Sequence, residues 1–208
     1  LQLGDPGHIA WARFVTGFSL MWHGDLEEAR EQMEGALEVA RQRGDAVHVS
    51  RCLTYLTILY RRCGDVVRTR DYATQSLEAA KATNMPEYQA SAHANQSWLA
   101  WRERNFRLTL AEGEQALAIW QQIPELHASY VFRWTALLPL MAALHATHQS
   151  GAAVQKAREL LKSGQMRLPD ELEAVVRHTI ATWDRHEGER AAAAMEQTLA
   201  LAQKLGFL

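Results

Sequence analysis

The chain has 208 residues, 48% hydrophobic and 22% charged, with a formal net charge of -2. That balance suits an ordinary folded protein and gives no bulk electrostatic argument for nucleic acid or an anionic membrane. Two cysteines are too few for a disulfide scaffold, and no apolar run is long enough to span a bilayer. With no signal-peptide pattern either, a cytoplasmic protein is expected.

In chain order, the pattern predicts five pairs of helices. Asp5 and Pro6 open a helix over Pro6–His23, the acid as cap and the proline in the first turn, where its missing N–H costs nothing. Gly24-Asp25 makes a tight turn into a second helix from Leu26 to Arg43. Gly44 then ends this helix in a left-handed conformation, and Asp45 caps the next. The second pair runs from Asp45 to Thr83 and the third from Asn84 to about Gln122. Within the second, Cys52 and Cys63 fall on one predicted helix, about three turns or roughly 16 Å apart, too far to bridge. Buried free thiols are expected there. The fourth pair, from Pro124 to Gly164, has a looser turn at His148-Gln149-Ser150-Gly151. It also places Pro139 inside a helix, which should kink by losing the bond to Thr135. The fifth, from Pro169 to Gly206, returns to the earlier pattern. Leu1-Gln2-Leu3-Gly4-Asp5 and Leu205-Gly206-Phe207-Leu208 read alike, as if the segment were bounded by repeat edges of a longer polypeptide.

These pairs repeat at about forty residues. Gly24-Asp25-Leu26, Ala29, Ala36-Leu37 and Ala40 line up with Gly64-Asp65-Val66, Thr69, Ser76-Leu77 and Ala80, and then with Arg104-Asn105-Phe106, Thr109, Ala116-Leu117 and Trp120. Ala191, Met195, Thr198-Leu199 and Ala202 return the same phase in the fifth pair. A fixed period of this size marks stacked units, none of which buries its apolar face alone. The small residues have a packing reason, since Ala, Gly, Ser or Thr at a helix crossing lets the axes approach. Gly17, Thr57 and Ser97 form a further set of this kind, seven residues before the turn.

The small residue before the turn, Gly-Asp at it, Ala four residues on and Ala-Leu seven later resemble the tetratricopeptide repeat. Tyr60 matches the family's large aromatic. The longer period and the closing Leu201-Ala202-Gln203-Lys204-Leu205-Gly206 look like the repeat arms of large bacterial ATPase-type regulators. The resemblance covers essentially the whole chain. It implies an all-α, right-handed superhelical solenoid acting as one domain, whose concave face, lined by the first helix of each pair, binds peptides or partner domains. Carried over by phase, the groove positions are Trp11, Phe14, Phe18, Met21 and Trp22 in the first pair. The second pair offers Arg51, Thr54, Ile58, Arg61 and Arg62, and the third Ser91, Ala94, Trp98, Trp101 and Arg102.

Tryptophan and arginine dominate binding hot spots, so Trp11, Phe14, Phe18, Trp22, Trp98 and Trp101 are the sharpest candidates. Against this stands ordinary core filling. Arg61, Arg62, Arg102, Arg104 and Arg107 form a second set, with Arg62 and Arg102 one period apart on an expected shared ledge. Paired guanidiniums would seat an acidic peptide, although solvated arginines near helix C-termini are common. His145 and His148 are three apart on a helix, but no further ligands stand at matching spacing, so no metal or other cofactor is expected. With no phosphate loop, nucleophile elbow or paired acids in a cleft, a non-catalytic role is expected. The expected partner is a protein or peptide, with an acidic one matching the arginines, and neither a membrane nor nucleic acid bound directly. A small-molecule effector site and self-association through the end units are the alternatives.

Overall fold

The computed structural model describes residues 4–123, 132–162 and 167–208 and is all-α, with no strand among the described residues. Its helices are α1 (Pro6–His23), α2 (Leu26–Gln42), α3 (Ala46–Arg62), α4 (Val66–Ala82), α5 (Pro86–Arg102), α6 (Phe106–Gln121), α7 (Trp134–Ala146), α8 (Ser150–Leu160), α9 (Asp170–Asp184) and α10 (Gly188–Lys204). The chain divides into two compact units, Leu1–Ala92 and His93–Leu208. The expected helix end at Leu1–Leu3, the start of the fourth pair at Pro124 and its end at Gly164 lie outside the described residues.

Helix boundaries follow from backbone bookkeeping. The first amides of a helix lack partners, and Asp5, Asp45, Asp65 and Asn105 each accept one, from Gly7, His48, Arg68 and Leu108. At the other end a left-handed residue turns the chain. Gly24, Gly44, Gly64, Asn84 and Arg104 all have positive φ, at a spacing of twenty residues, and His148, His186 and Gly206 do the same later. After each of these the next N–H reaches back to the last turn, as from Asp45 to Ala40 O (3.0 Å), Asp65 to Tyr60 O (3.0 Å) and Asn105 to Ala100 O (2.9 Å). This satisfies carbonyls that would otherwise be orphaned.

In the first unit α1 and α2 form an antiparallel hairpin. A Cβ at Gly17 would meet Met33, one at Gly35 would meet Arg13, and one at Gly7 would meet Arg43. Rising positions on one helix thus face falling positions on the other. Between α1 and α3 the direction reverses, because Trp11 faces Arg51, Phe14 and Phe18 face Tyr55, and Arg62 donates to the Met21 carbonyl. These partners differ by about forty residues, so the two helices are parallel and offset by the sequence period. Helices α2 and α4 are similarly parallel, with Arg41 donating to Gln75 (2.8 Å) and Arg68 within 3.9 Å of Glu34. The small positions Ala29, Ala36, Thr69 and Ser76 are buried together with Met33, Leu37, Leu56 and Leu59.

In the second unit the α5–α6 hairpin uses the same crossing. Ser97 Oγ donates to Thr109 O (2.8 Å), and His93 Nδ1 lies 2.7 Å from Glu112 Oε2. Gly113 lies against Leu140 of α7. Helix α7 is buried along Trp134–Leu144 and runs through Pro139 rather than ending there. Its ends touch α10 and the residues after it, the Trp134 and Phe207 rings lying tilted to each other at 4.8 Å and His145 lying 3.6 Å from Glu196. Thr179 and Thr198 share a buried hydrogen bond of 2.9 Å between α9 and α10. Thr109, Ala116, Ala191 and Thr198, the small positions expected from the repeat, are buried.

One expectation is corrected. Cys52 is buried but Cys63 is exposed. The reason is local: α3 stops at Arg62, so Cys63 occupies its C-cap beside the left-handed Gly64.

Candidate functional site

The most distinctive surface belongs to α1 and α3 of the first unit. Neither Pro6–His23 nor Ala46–Arg62 contains an Asp or Glu, whereas α2 between them carries Glu27, Glu28, Glu31, Glu34 and Glu38. Carboxylates near that surface are therefore confined to the caps and neighbouring helices. Along α1, Trp11, Val15, Phe18 and Trp22 fall on one stripe at helical spacing. Their counterparts one period later are Arg51, Tyr55, Ile58 and Arg62. Because α1 and α3 are parallel at that offset, the two stripes lie side by side.

The rings interlock through edges and faces. Trp11 stacks near Phe14 (5.7 Å) and meets the edge of His48 (5.6 Å). Phe14 packs edge-on to Tyr55 at 4.9 Å, Phe18 to Tyr55 at 5.5 Å and Phe18 to Trp22 at 6.0 Å. Such offset and edge-to-face pairs each contribute about 0.5–1.5 kcal/mol beyond burial. Phe14 is buried, Phe18, Trp22 and Tyr55 are half-buried, and Trp11 keeps 46% of its surface exposed. The Arg51 guanidinium carbon lies 5.1 Å from the Trp11 ring centre and 5.8 Å from that of Phe14. Arg51 Nε donates to Tyr88 Oη at 3.0 Å. Burial raises the pKa of Tyr55 and of Tyr88, so both phenols are neutral hydroxyls at physiological pH.

The residues expected at the groove divide by depth. Phe18, Trp22, Arg51 and Arg62 reach the surface, whereas Ile58 and Arg61 are buried within α3. Burial lowers the pKa of Arg61. In the second unit Trp98 is buried, Trp101 is half-buried and Arg102 is exposed, with its guanidinium carbon 5.5 Å from the Trp98 ring centre. Arg62 and Arg102 therefore have different surroundings: the first is half-buried and bonded to the Met21 carbonyl, the second is exposed over an indole. Ala36 and Ala116, two periods apart, are equally buried.

Sequence reasoning missed Tyr55, His48 and Tyr88, although the period contained the signal. Tyr55 is Val15 advanced by forty residues. His8, His48 and Tyr88 share one phase, and the two histidines lie near Asp5 (3.7 Å) and Asp45 (3.6 Å) in the same way. Among the described residues no three His, Cys, Asp or Glu side chains are placed to hold a metal ion, and no helix is long and apolar enough to cross a membrane. Comparisons of the chain with protein-family models, with curated proteins and with solved structures found no match.

Proposed function

We propose that the helix pairs are TPR-like repeats of a solenoid and that the α1–α3 face docks a peptide or partner domain. The arm would serve a cytoplasmic regulatory protein, acting by binding rather than by chemistry. One observation carries this reading: two parallel, acid-free helices, offset by the repeat period, present Trp11, Phe18, Trp22, Tyr55 and Arg51 on one partly exposed face. Rigid rings and a planar guanidinium supply contact area at low entropic cost, which is what protein-binding hot spots need.

The test is selection of random dodecapeptides displayed on phage against the immobilised chain. Peptides should be enriched on the wild type and lost on Phe18→Asp. They should survive on Val67→Asp, since Val67 is 79% exposed on α4, away from this face. Equal capture by the wild type and Phe18→Asp would refute the assignment. A second copy is the alternative occupant, favoured by the exposed Ile9, Trp11 and Val15 on α1. It predicts a concentration-dependent mass in light scattering that Trp11→Glu abolishes.

A further inference from the structure

The residue that opens α10 serves side chains rather than its own helix. Asp5, Asp45, Asp65 and Asn105 each bond a backbone amide of the helix they open, whereas Glu187, at the same place before α10, caps none. Its carboxylate instead bridges two guanidiniums. Oε1 accepts from Arg185 Nε at 2.8 Å and Oε2 from Arg190 Nη1 at 3.3 Å. Arg185 is fixed at a second point, its Nη2 donating to Thr182 Oγ1 at 3.3 Å. The two cations have no joint counterpart in the repeat. Their positions carry His23 and Glu28, Cys63 and Arg68, and Glu103 and Leu108 in the first three pairs.

These groups line a hollow of about 260 Å³ in the second unit, together with His178 and Gln197 and over Ala193 and Ala194. The hollow lies off the expected groove phase. Trp11, Phe14, Phe18, Met21 and Trp22 of the first pair correspond here to Glu173, Val176, Ile180, Trp183 and Asp184, none of which lines it. It exceeds the roughly 150 Å³ that takes a benzene and falls short of the roughly 300–1,000 Å³ of drug-sized sites. One small molecule fits. Hydrogen bonds from Arg185 and Arg190 hold the Glu187 carboxyl below the usual carboxylate range, so both signs of charge face the hollow at neutral pH. Each Glu187 oxygen has lone-pair capacity left, and each guanidinium has N–H donors left.

We infer that this hollow binds a free α-amino acid, its carboxylate on Arg185 and Arg190, its ammonium on Glu187 and an aliphatic side chain over Ala193 and Ala194. A zwitterion answers both signs of charge at once. A bare anion would meet Glu187, and a bare cation would meet the two guanidiniums. The planar forks suit a carboxylate, and Glu187 holds them in place before the ligand arrives. The site belongs to α9 and α10 and is independent of peptide docking on α1 and α3.

The experiment titrates L-leucine, N-acetyl-L-leucine, L-leucinamide and inorganic phosphate into the isotope-labelled chain and follows the backbone amide signals of Thr182–Gln197 by NMR. Leucine should give saturable shifts there, and acetylation or amidation should each weaken binding about ten-fold. On Glu187→Gln, acetylation should no longer weaken it. On the double variant Arg185→Gln with Arg190→Gln, the same should hold for amidation. Circular dichroism confirms that these surface variants fold. Phe18→Asp should titrate like the wild type, and loss of leucine binding there would overturn the placement in the second unit. No saturable shift with leucine overturns the site. Equal losses on the wild type and the variants overturn the assigned partners. Phosphate binding more tightly than leucine overturns the zwitterion in favour of a bare anion.

Discussion

Both units end their helices with the same left-handed turn, but with different residues. In the first unit Gly24, Gly44 and Gly64 occupy it without steric cost, and Asn84 adopts it more readily than most side chains. In the second unit the same position falls to Arg104, His148 and His186, and a glycine returns only at Gly206. The hydrogen bonds that define the turn are nonetheless alike, from His148 to His145 O at 3.0 Å and from His186 to Trp183 O at 2.9 Å. Backbone bonding thus sets the geometry, and the side chain only alters its cost. A second contrast lies at the hairpin crossing. In α1–α2 Gly17 faces the large Met33, whereas in α5–α6 the larger Ser97 faces Gly113, and Leu140 of α7 fills the space beside that glycine. By the same register Thr57 stands opposite Ala73, both buried. Volume moves between the two helices while the crossing is retained.

The crossing gives the largest expected effects. Met33→Ala should cost about 2–5 kcal/mol, because it opens a cavity against a glycine that cannot fill it. Gly113→Ala should cost about 1–3 kcal/mol, since its Cβ would come within 2.7 Å of Leu140. Gly17→Ala would come equally close to Met33. Combining it with Met33→Ala should therefore cost clearly less than the two single changes added together. Urea unfolding of the four proteins in this cycle measures the coupling, and strict additivity would show that the two positions do not share one space.

The turns give the next effects, with opposite signs in the two units. Gly64→Ala places a Cβ on a residue with φ of 72° and should cost about 1–2 kcal/mol. His186→Gly, where φ is 62°, should cost nothing or stabilise by up to about 1 kcal/mol. Thermal unfolding of both variants compares them directly, and a destabilised His186→Gly would mean that the imidazole holds the turn by contacts of its own.

The same contrast explains what could be read in the residues. Asp5, Pro6 and Gly24 mark both ends of α1, and Pro6–His23 is legible end to end. Asp45 and Gly64 do the same for α3, so the period in the first unit is plain. Where His148 replaces glycine the turn geometry remains but its letter is lost, and for that reason the phase of α7 and α8 could not be assigned from spacing. Depth was harder to read than direction. Helical phase places Ile58 and Arg62 on one stripe, yet Ile58 is buried and Arg62 is half-buried, because covering depends on neighbouring side chains. Arg51 was legible only as a groove position implied by the repeat resemblance. Its surroundings depend on Trp11 and Phe14 of α1 and Tyr88 of α5, which come from two other helices.

The two cysteines provide the smallest and most local test. Burial pushes the Cys52 thiol up to about 12, so the folded chain keeps this proton after the unfolded chain has begun to lose it at about pH 8.5. Its contribution to stability is therefore complete below that pH and declines as pH rises toward about 12. Urea midpoints measured from pH 8 upward should fall, and less steeply in Cys52→Ala, the early part of the slope being the informative one because tyrosines titrate later. Cys63, exposed at the C-cap of α3, should react with a thiol reagent in the native state, slowly because partial desolvation by its neighbours raises its pKa. Cys52 should react only on unfolding. Equal reactivity of both thiols in the native chain would mean that α3 opens from its neighbours, which the interlocked rings of Phe14, Phe18 and Tyr55 should prevent.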